Sequence, residues 1–252
     1  MPFLDGRTAL VTGGSRNLGP VIAERLAAHG ATVAVTYRSS EAAAQALVDS
    51  LRAQTGREHV AVGGELTDGD EVRTVVERAR EGLGGRVDVL VHNAGPFTMT
   101  PFATLPEAEW DTIWDVNVKA AYLASQLLAP GMRAAGWGRI VLLSAGSAYL
   151  RNHSIYGLAK QALTFLAEEL AAELGPGVTV NAVAPGQIAE SASDIADFDP
   201  GFVERAIEAT PAQRLVTRAE VAELVALLCS PGFAMVTGAT LPVDGGWRLN
   251  RF

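Results

Sequence analysis

The sequence predicts an α/β fold: one domain, 1–252, with a doubly wound parallel sheet of about seven strands and helices on both faces. Three observations predict it. Short apolar runs rich in β-branched residues recur along the chain, helical patterns lie between them, and no linker or compositional break divides the 252 residues. The runs are apolar throughout rather than alternating, as expected where helices cover both faces of a parallel sheet. Alternation of the two element types then implies right-handed βαβ units in one sheet.

In chain order, TALVT (8–12) opens the series and is followed by the glycine-rich VTGGSRNLG and the helical LGPVIAERLAAHG. TVAVTY (32–37) leads into EAAAQALVDSLRAQTG, and HVAV (59–62) into DEVRTVVERAREGLG. VDVLV (87–91), RIVLL (139–143), VTVNAV (178–183) and TLPV (240–243) complete the strand-like runs, with the helical VAELVALLC before the last. The least regular stretch is 186–212, GQIAESASDIADFDPGFVERAIEATPA, which is acidic and holds one short helical pattern near 202–209. A long irregular segment in a compact domain is expected to be a lid over a site.

Composition narrows the function. Hydrophobic residues make up 48% and charged residues 19%, which excludes a disordered chain. The net charge is −8 with no block of Lys and Arg, which argues against nucleic acid or an anionic membrane as partner. No apolar run approaches ~18 residues, so no membrane span is expected. The first strand-like run begins near Arg7, leaving no room for a signal peptide, and the cytoplasm is the default compartment. The single cysteine, Cys229, reads as a small core residue, and no metal ligand set is assigned.

In a doubly wound sheet, ligands bind beyond the carboxyl ends of the strands. The first such end carries Gly13, Gly14, Ser15, Arg16, Asn17, Leu18 and Gly19 before a helix. Glycines there permit a tight turn, let backbone N–H groups approach a diphosphate and aim a helix N-terminus at its charge. The spacing is not the plain GxGxxG, and a glycine-rich turn without a ligand is the alternative. At the next strand end come Tyr37, Arg38 and Ser39, with no carboxylate until Glu41. An acidic residue at this place usually holds a free ribose 2′-hydroxyl. Arg38 with Arg16 would instead clamp a 2′-phosphate, which points to NADPH/NADP+ in preference to NADH. Two solvated surface arginines are the other reading.

TGGSRNLG, HNAG (92–95), Asn117 in WDVNVKAAY, Tyr156-x-x-x-Lys160, NAVAPG (181–186) and VDGG (243–246) together resemble the motif series of the short-chain dehydrogenase/reductase family, in its order and over nearly the whole chain. The resemblance is to the 3-oxoacyl-[acyl-carrier-protein] reductase-like ketoreductases. It implies a Rossmann fold and a cofactor site of Gly13, Ser15, Arg16, Asn17, Leu18, Gly19, Arg38, Ser39, Glu65, Leu66, Asn93, Ala94, Gly95, Tyr156, Lys160, Pro185, Gly186 and Ile188. It also implies a catalytic set of Asn117, Ser144, Tyr156 and Lys160. The residues add their own argument. Tyr156 and Lys160, four apart, share one helix face. A nearby ammonium favours a phenolate and would lower the tyrosine from about 10 toward neutrality. Such a tyrosine can give a proton to a ketone being reduced, or take one from an alcohol.

The sequence departs from the family pattern at several places. A serine pair often ends the fifth strand, and its second member acts; here Ser144 takes the first position and Ala145 the second. Ser144 is narrowly preferred as the carbonyl-polarising group; Ser147 or neither are the alternatives. His153 and Tyr149 read as a solvated loop residue and a pocket wall. Asn17 replaces a glycine, at a place where Asn tolerates φ > 0 and can cap a helix. Glu65 and His92 replace residues usual at the adenine and in NNAG, and Glu190, which replaces a threonine near the diphosphate, should point away from phosphate.

The leading expectation is an NADPH-dependent oxidoreductase that reduces a ketone to a secondary alcohol, with a small-molecule carbonyl substrate and a homotetrameric (or homodimeric) assembly. The alternatives are an NAD(P)-dependent alcohol dehydrogenase, a C=N or C=C reductase, and a non-catalytic NADP-binding scaffold or sensor. The apolar AAYLASQLL fits packing between subunits.

Overall fold

A computed structural model of the chain describes residues 2–146, 154–192 and 199–249. Seven strands form one wholly parallel sheet in the order β3-β2-β1-β4-β5-β6-β7. They are β1 (Thr8–Thr12), β2 (Thr32–Tyr37), β3 (Val60–Gly63), β4 (Val89–His92), β5 (Gly138–Leu143), β6 (Val178–Pro185) and β7 (Thr240–Val243). The helices are α1 (Leu18–Ala28), α2 (Glu41–Thr55), α3 (Gly69–Gly82), α4 (Glu107–Trp114), α5 (Ala120–Ala134), α6 (Ile155–Leu174), α7 (Phe202–Ala209) and α8 (Arg218–Leu228). The irregular stretch after β6 thus holds one α-helix among its described residues, at the place the pattern predicted.

The core lies in two layers. Alternate residues of the strands face opposite sides, so Ala9 and Val11 pack with Ile22, Leu26, Val48 and Val225 of α1, α2 and α8. Leu10, Leu90, Ile140 and Leu142 pack with Val75, Leu128 and Leu163 of α3, α5 and α6. This two-sided burial is why the strand runs carry no polar alternation. Cys229 is buried at the end of α8 in the first layer, and burial pushes its thiol up to about 12, so it behaves as a core side chain. No described helix is long and apolar enough to cross a membrane.

Several strand boundaries shift by one or two residues from the sequence reading, and two of the shifts involve a histidine. His59 precedes β3 instead of opening it; its Nδ1 accepts the N–H of Val33 and its Nε2 pairs with the Thr55 hydroxyl. His92 closes β4, buried against the end of β1.

β1 and β4 are neighbours although β2 and β3 intervene in sequence, which makes the gap beyond their carboxyl ends the topological switch point. Leu90 lies fully buried in the strand that flanks this gap. Leu90→Ala should destabilise the protein by about 2–5 kcal/mol, read as a lower denaturant midpoint with an unchanged slope.

Candidate active site

At the switch point a cleft of about 330 Å³ is lined by Gly13, Ser15, Arg16, Asn17 and Leu18 after β1, and by Thr36, Tyr37, Arg38 and Ser40 after β2. Gly64, Glu65 and Leu66 after β3, and Asn93, Ala94, Gly95, Pro96 and Val116 after β4, complete it. Of the residues expected at a nucleotide, Gly19 is buried beneath the turn, and Arg38 and Ser40, rather than Ser39, face the cleft. Thr36, Tyr37, Ser40, Gly64, Pro96 and Val116 were not assigned to the cleft from the sequence. All but Val116, which comes from the turn before α5, lie at the same strand ends as the residues that were, and only the curl of each loop selects them.

The turn after β1 is held from three sides. Thr36 Oγ1 accepts the Gly13 N–H at 3.0 Å and its carbonyl accepts the Gly14 N–H at 2.9 Å. Asn93 Nδ2 donates to the carbonyls of Thr12 and Gly13. Gly19 packs so tightly that a Cβ there would stand 2.3 Å from the Gly13 carbonyl oxygen. Asn17 takes φ 56° as its type allows, although its side chain makes no helix cap. The N-terminus of α1 therefore faces the cleft, although Pro20 has no N–H and the Gly19 N–H is spent on the Arg16 carbonyl.

Arg16 and Arg38 stand exposed at the cleft, and Arg38 Nε lies 3.5 Å from Glu65 Oε1. Glu190 turns away, its carboxylate accepting the N–H of Arg218 at the start of α8, as the charge argument expects. Ile188 bridges to Val216 at the base of the segment after β6, and Pro185 and Gly186 continue β6 beside β7.

Deeper in, α6 carries Tyr156 and Lys160 on one face, with Nζ 5.4 Å from the phenol ring centroid. Ser154 starts this helix by accepting the Gly157 N–H. Lys160 Nζ is buried and donates to the Leu143 carbonyl at 2.7 Å. Burial lowers the ammonium to about 7 and raises the Tyr156 phenol to about 12. The expectation that the lysine brings the tyrosine toward neutrality is therefore not met in the unliganded chain. Loss of water penalises both charged forms and outweighs their attraction. Tyr156 is a protonated phenol at neutral pH.

Asn117 sits in a π-helical turn, Asp115–Lys119, between α4 and α5, a common device at functional sites. Its Nδ2 donates to Ile113 and Pro96 carbonyls, while its buried Oδ1 has no partner. A Cβ on Gly95 would lie 2.3 Å from that Oδ1 and 2.9 Å from Lys160 Nζ, so Gly95, Asn117 and Lys160 converge on one point. Neutral His92, lowered to about 4 chiefly by burial, braces the turn: Nε2–H donates to the Val116 carbonyl and Nδ1 accepts the Thr12 hydroxyl.

Ser144 lies at the end of β5, buried, and its hydroxyl donates its one proton to the Lys160 carbonyl at 2.7 Å. Ser147, Tyr149 and His153 fall outside the described residues.

The glycine cradle, the helix N-terminus and the unpaired Asn117 Oδ1 near the Lys160 amine fit a nicotinamide dinucleotide along this cleft. Among the described residues no His/Cys/Asp/Glu cluster could hold a metal ion.

Comparison with known proteins agrees with this geometry. Residues 13–248 match a family model described as enoyl-(acyl carrier protein) reductase. The 3-oxoacyl-[acyl-carrier-protein] reductase FabG of Staphylococcus epidermidis is 34% identical over 246 residues, covering 96% of this chain and 99% of its own. A short-chain dehydrogenase/reductase from Serratia marcescens superposes with a TM-score of 0.87 at 32% identity, over 98% of this chain and 100% of that one. A blue fluorescent protein from a metagenomic library, solved in complex with NADPH, superposes with a TM-score of 0.85 at 36% identity, over 97% and 99% of the two chains.

Gly95→Ala would force Asn117 and Lys160 apart at the point where they meet. Turnover should fall by about a hundredfold or more, the scale of an ångström misplacement, while circular dichroism shows a folded protein.

Proposed function

The chain belongs to the short-chain dehydrogenase/reductase family of oxidoreductases, and on that premise we propose that it reduces a ketone to a secondary alcohol with NADPH, Tyr156 giving the proton. The observation that carries this reading is the phenol of Tyr156, held protonated by burial and set beside Lys160 at the inner end of the nucleotide cleft. When bound, the reduced cofactor supplies the hydride. The protein's part is to orient, to exclude water and to place the proton.

In this reading Arg16 and Arg38 hold the 2′-phosphate, and Glu65 competes for Arg38. The turn Gly13–Gly19, with Ser15, Asn17 and Leu18, takes the diphosphate. Ser39, Leu66, Asn93, Ala94 and Gly95 border the nucleoside, and Pro185, Gly186 and Ile188 border the nicotinamide. Lys160 and the unpaired Asn117 Oδ1 face a ribose hydroxyl or a relaying water, which passes a proton to Tyr156 once it has donated its own. Ser144 ties the Lys160 turn of α6 to β5; to polarise the substrate carbonyl it would have to release that bond. The exposed Tyr122 and Leu127 on α5, with Leu158 and Phe165 on α6, support subunit packing through these helices into a homotetramer. We assign the protein to the cytoplasm.

Three measurements test this. Tyr156→Phe should lower kcat for ketone reduction by about 10²–10⁴-fold, followed as NADPH oxidation, without weakening NADPH binding; Ser144→Ala at the same magnitude would make that hydroxyl the polarising group after all. Arg38→Asp should reverse the preference for NADPH over NADH in kcat/KM, and equal use of both cofactors by wild type would refute the clamp.

The third concerns pH. Lys160 titrates at about 7 in the free protein, and an anionic cofactor favours the ammonium, so its folded pKa rises on binding. Binding then takes up protons, and NADP+ affinity should fall as pH rises above about 7. Lys160→Met should show weaker binding without that slope, by fluorescence titration.

A further inference from the structure

The side chains around Tyr156 bear on which ketone the site takes. Phe97, in the loop after β4, meets the Tyr156 ring edge-on at 4.9 Å and 85° and is nevertheless 54% exposed. Tyr156 itself belongs to an apolar cluster with Leu105, Trp114, Ile155 and Ala159. Beyond the end of β5, the indole of Trp247 borders Gly146: a Cβ there would lie 3.6 Å from Cζ3 and 3.1 Å from the Pro185 carbonyl oxygen. Phe202 of α7 meets Trp247 edge-on at 6.4 Å and 87°.

The loop that follows Phe97 is tied to α4. The hydroxyls of Thr98 and Thr100 both donate to Glu109 Oε1 at the start of α4, and the Thr100 N–H donates to Thr98 Oγ1. A large ring therefore stands more than half exposed against Tyr156, where folding gains little from it. A ring brought against it recovers the burial that Phe97 forgoes, with the edge or offset geometry aromatic pairs prefer.

Charge selects further. Glu107 and Glu109 stand in the first turn of α4, next to this loop. After β6, Arg205 is paired with Asp199 at 2.6 Å and Arg214 with Glu220 at 2.5 Å. A substrate carboxylate would meet like charge from the first pair and no unengaged partner in these two arginines.

We propose that the substrates are neutral ketones carrying an aromatic ring, received by Phe97 beside Tyr156. The proposal rests on the reductase reading above and names its substrate class.

The test compares kcat/KM with NADPH for acetophenone against 2-butanone, and for ethyl benzoylformate against benzoylformate, in wild type, Phe97→Ala and Phe97→Trp. Wild type should favour acetophenone by about tenfold or more. Phe97→Ala should bring that ratio close to one, Phe97→Trp should keep it, and the ester should exceed the acid. A ratio unchanged in Phe97→Ala, or a preference for 2-butanone or for the free acid, overturns the aromatic proposal and leaves the reductase reading intact. No turnover of any of the four ketones, with NADPH bound, overturns both.

Discussion

Two short hydrogen bonds between the end of β5 and one turn of α6 govern the site. Lys160 Nζ donates to the Leu143 carbonyl, and the Ser144 hydroxyl donates back to the Lys160 carbonyl, each at 2.7 Å. Both are buried, so neither competes with water, and breaking either would leave a polar group unsatisfied in the core. They fix the helix in depth and in rotation. Tyr156, one turn earlier, is thereby fixed too, and so is the point where Lys160 approaches Asn117 and Gly95.

Burial at that point has an electrostatic consequence. Lys160 is buried and Tyr156 partly so, and this loss of water favours the neutral forms: the phenol keeps its proton and the ammonium titrates near neutrality. On the proposed reading, the proton donor is in its protonated form before any ligand arrives. On the same reading, an anionic cofactor supplies the counter-charge that a buried ammonium lacks, so cofactor binding and the protonation of Lys160 become one coupled equilibrium.

Ser144 shows how the same constraint divides roles. Its alignment to the end of β5 suggests a carbonyl-polarising hydroxyl, yet its proton is engaged by the helix it secures. Whether a hydroxyl is free to donate depends on which acceptor lies above it, and that is decided by how deeply α6 packs. Glu190 illustrates the opposite case: like-charge repulsion alone indicated that it would avoid phosphate, and it caps α8 instead.

The sequence by itself determined the layers and the strand ends. Apolar runs without alternation mean strands covered on both faces, and Gly13, Gly19, Tyr156 and Lys160 follow from local geometry: a tight turn, a close approach, a shared helix face. Helical spacing also located α7 inside an otherwise irregular stretch. Tertiary structure alone decided the π-turn that leaves Asn117 Oδ1 unpaired, the choice of Ser40 over Ser39 at the cleft, and the exposure of Phe97 beside Tyr156. It also reversed the expected pKa of Tyr156. Periodicity reports which face of an element is buried, but desolvation and hydrogen-bond partnership depend on neighbours far apart in the chain, and only the packed structure brings those neighbours together.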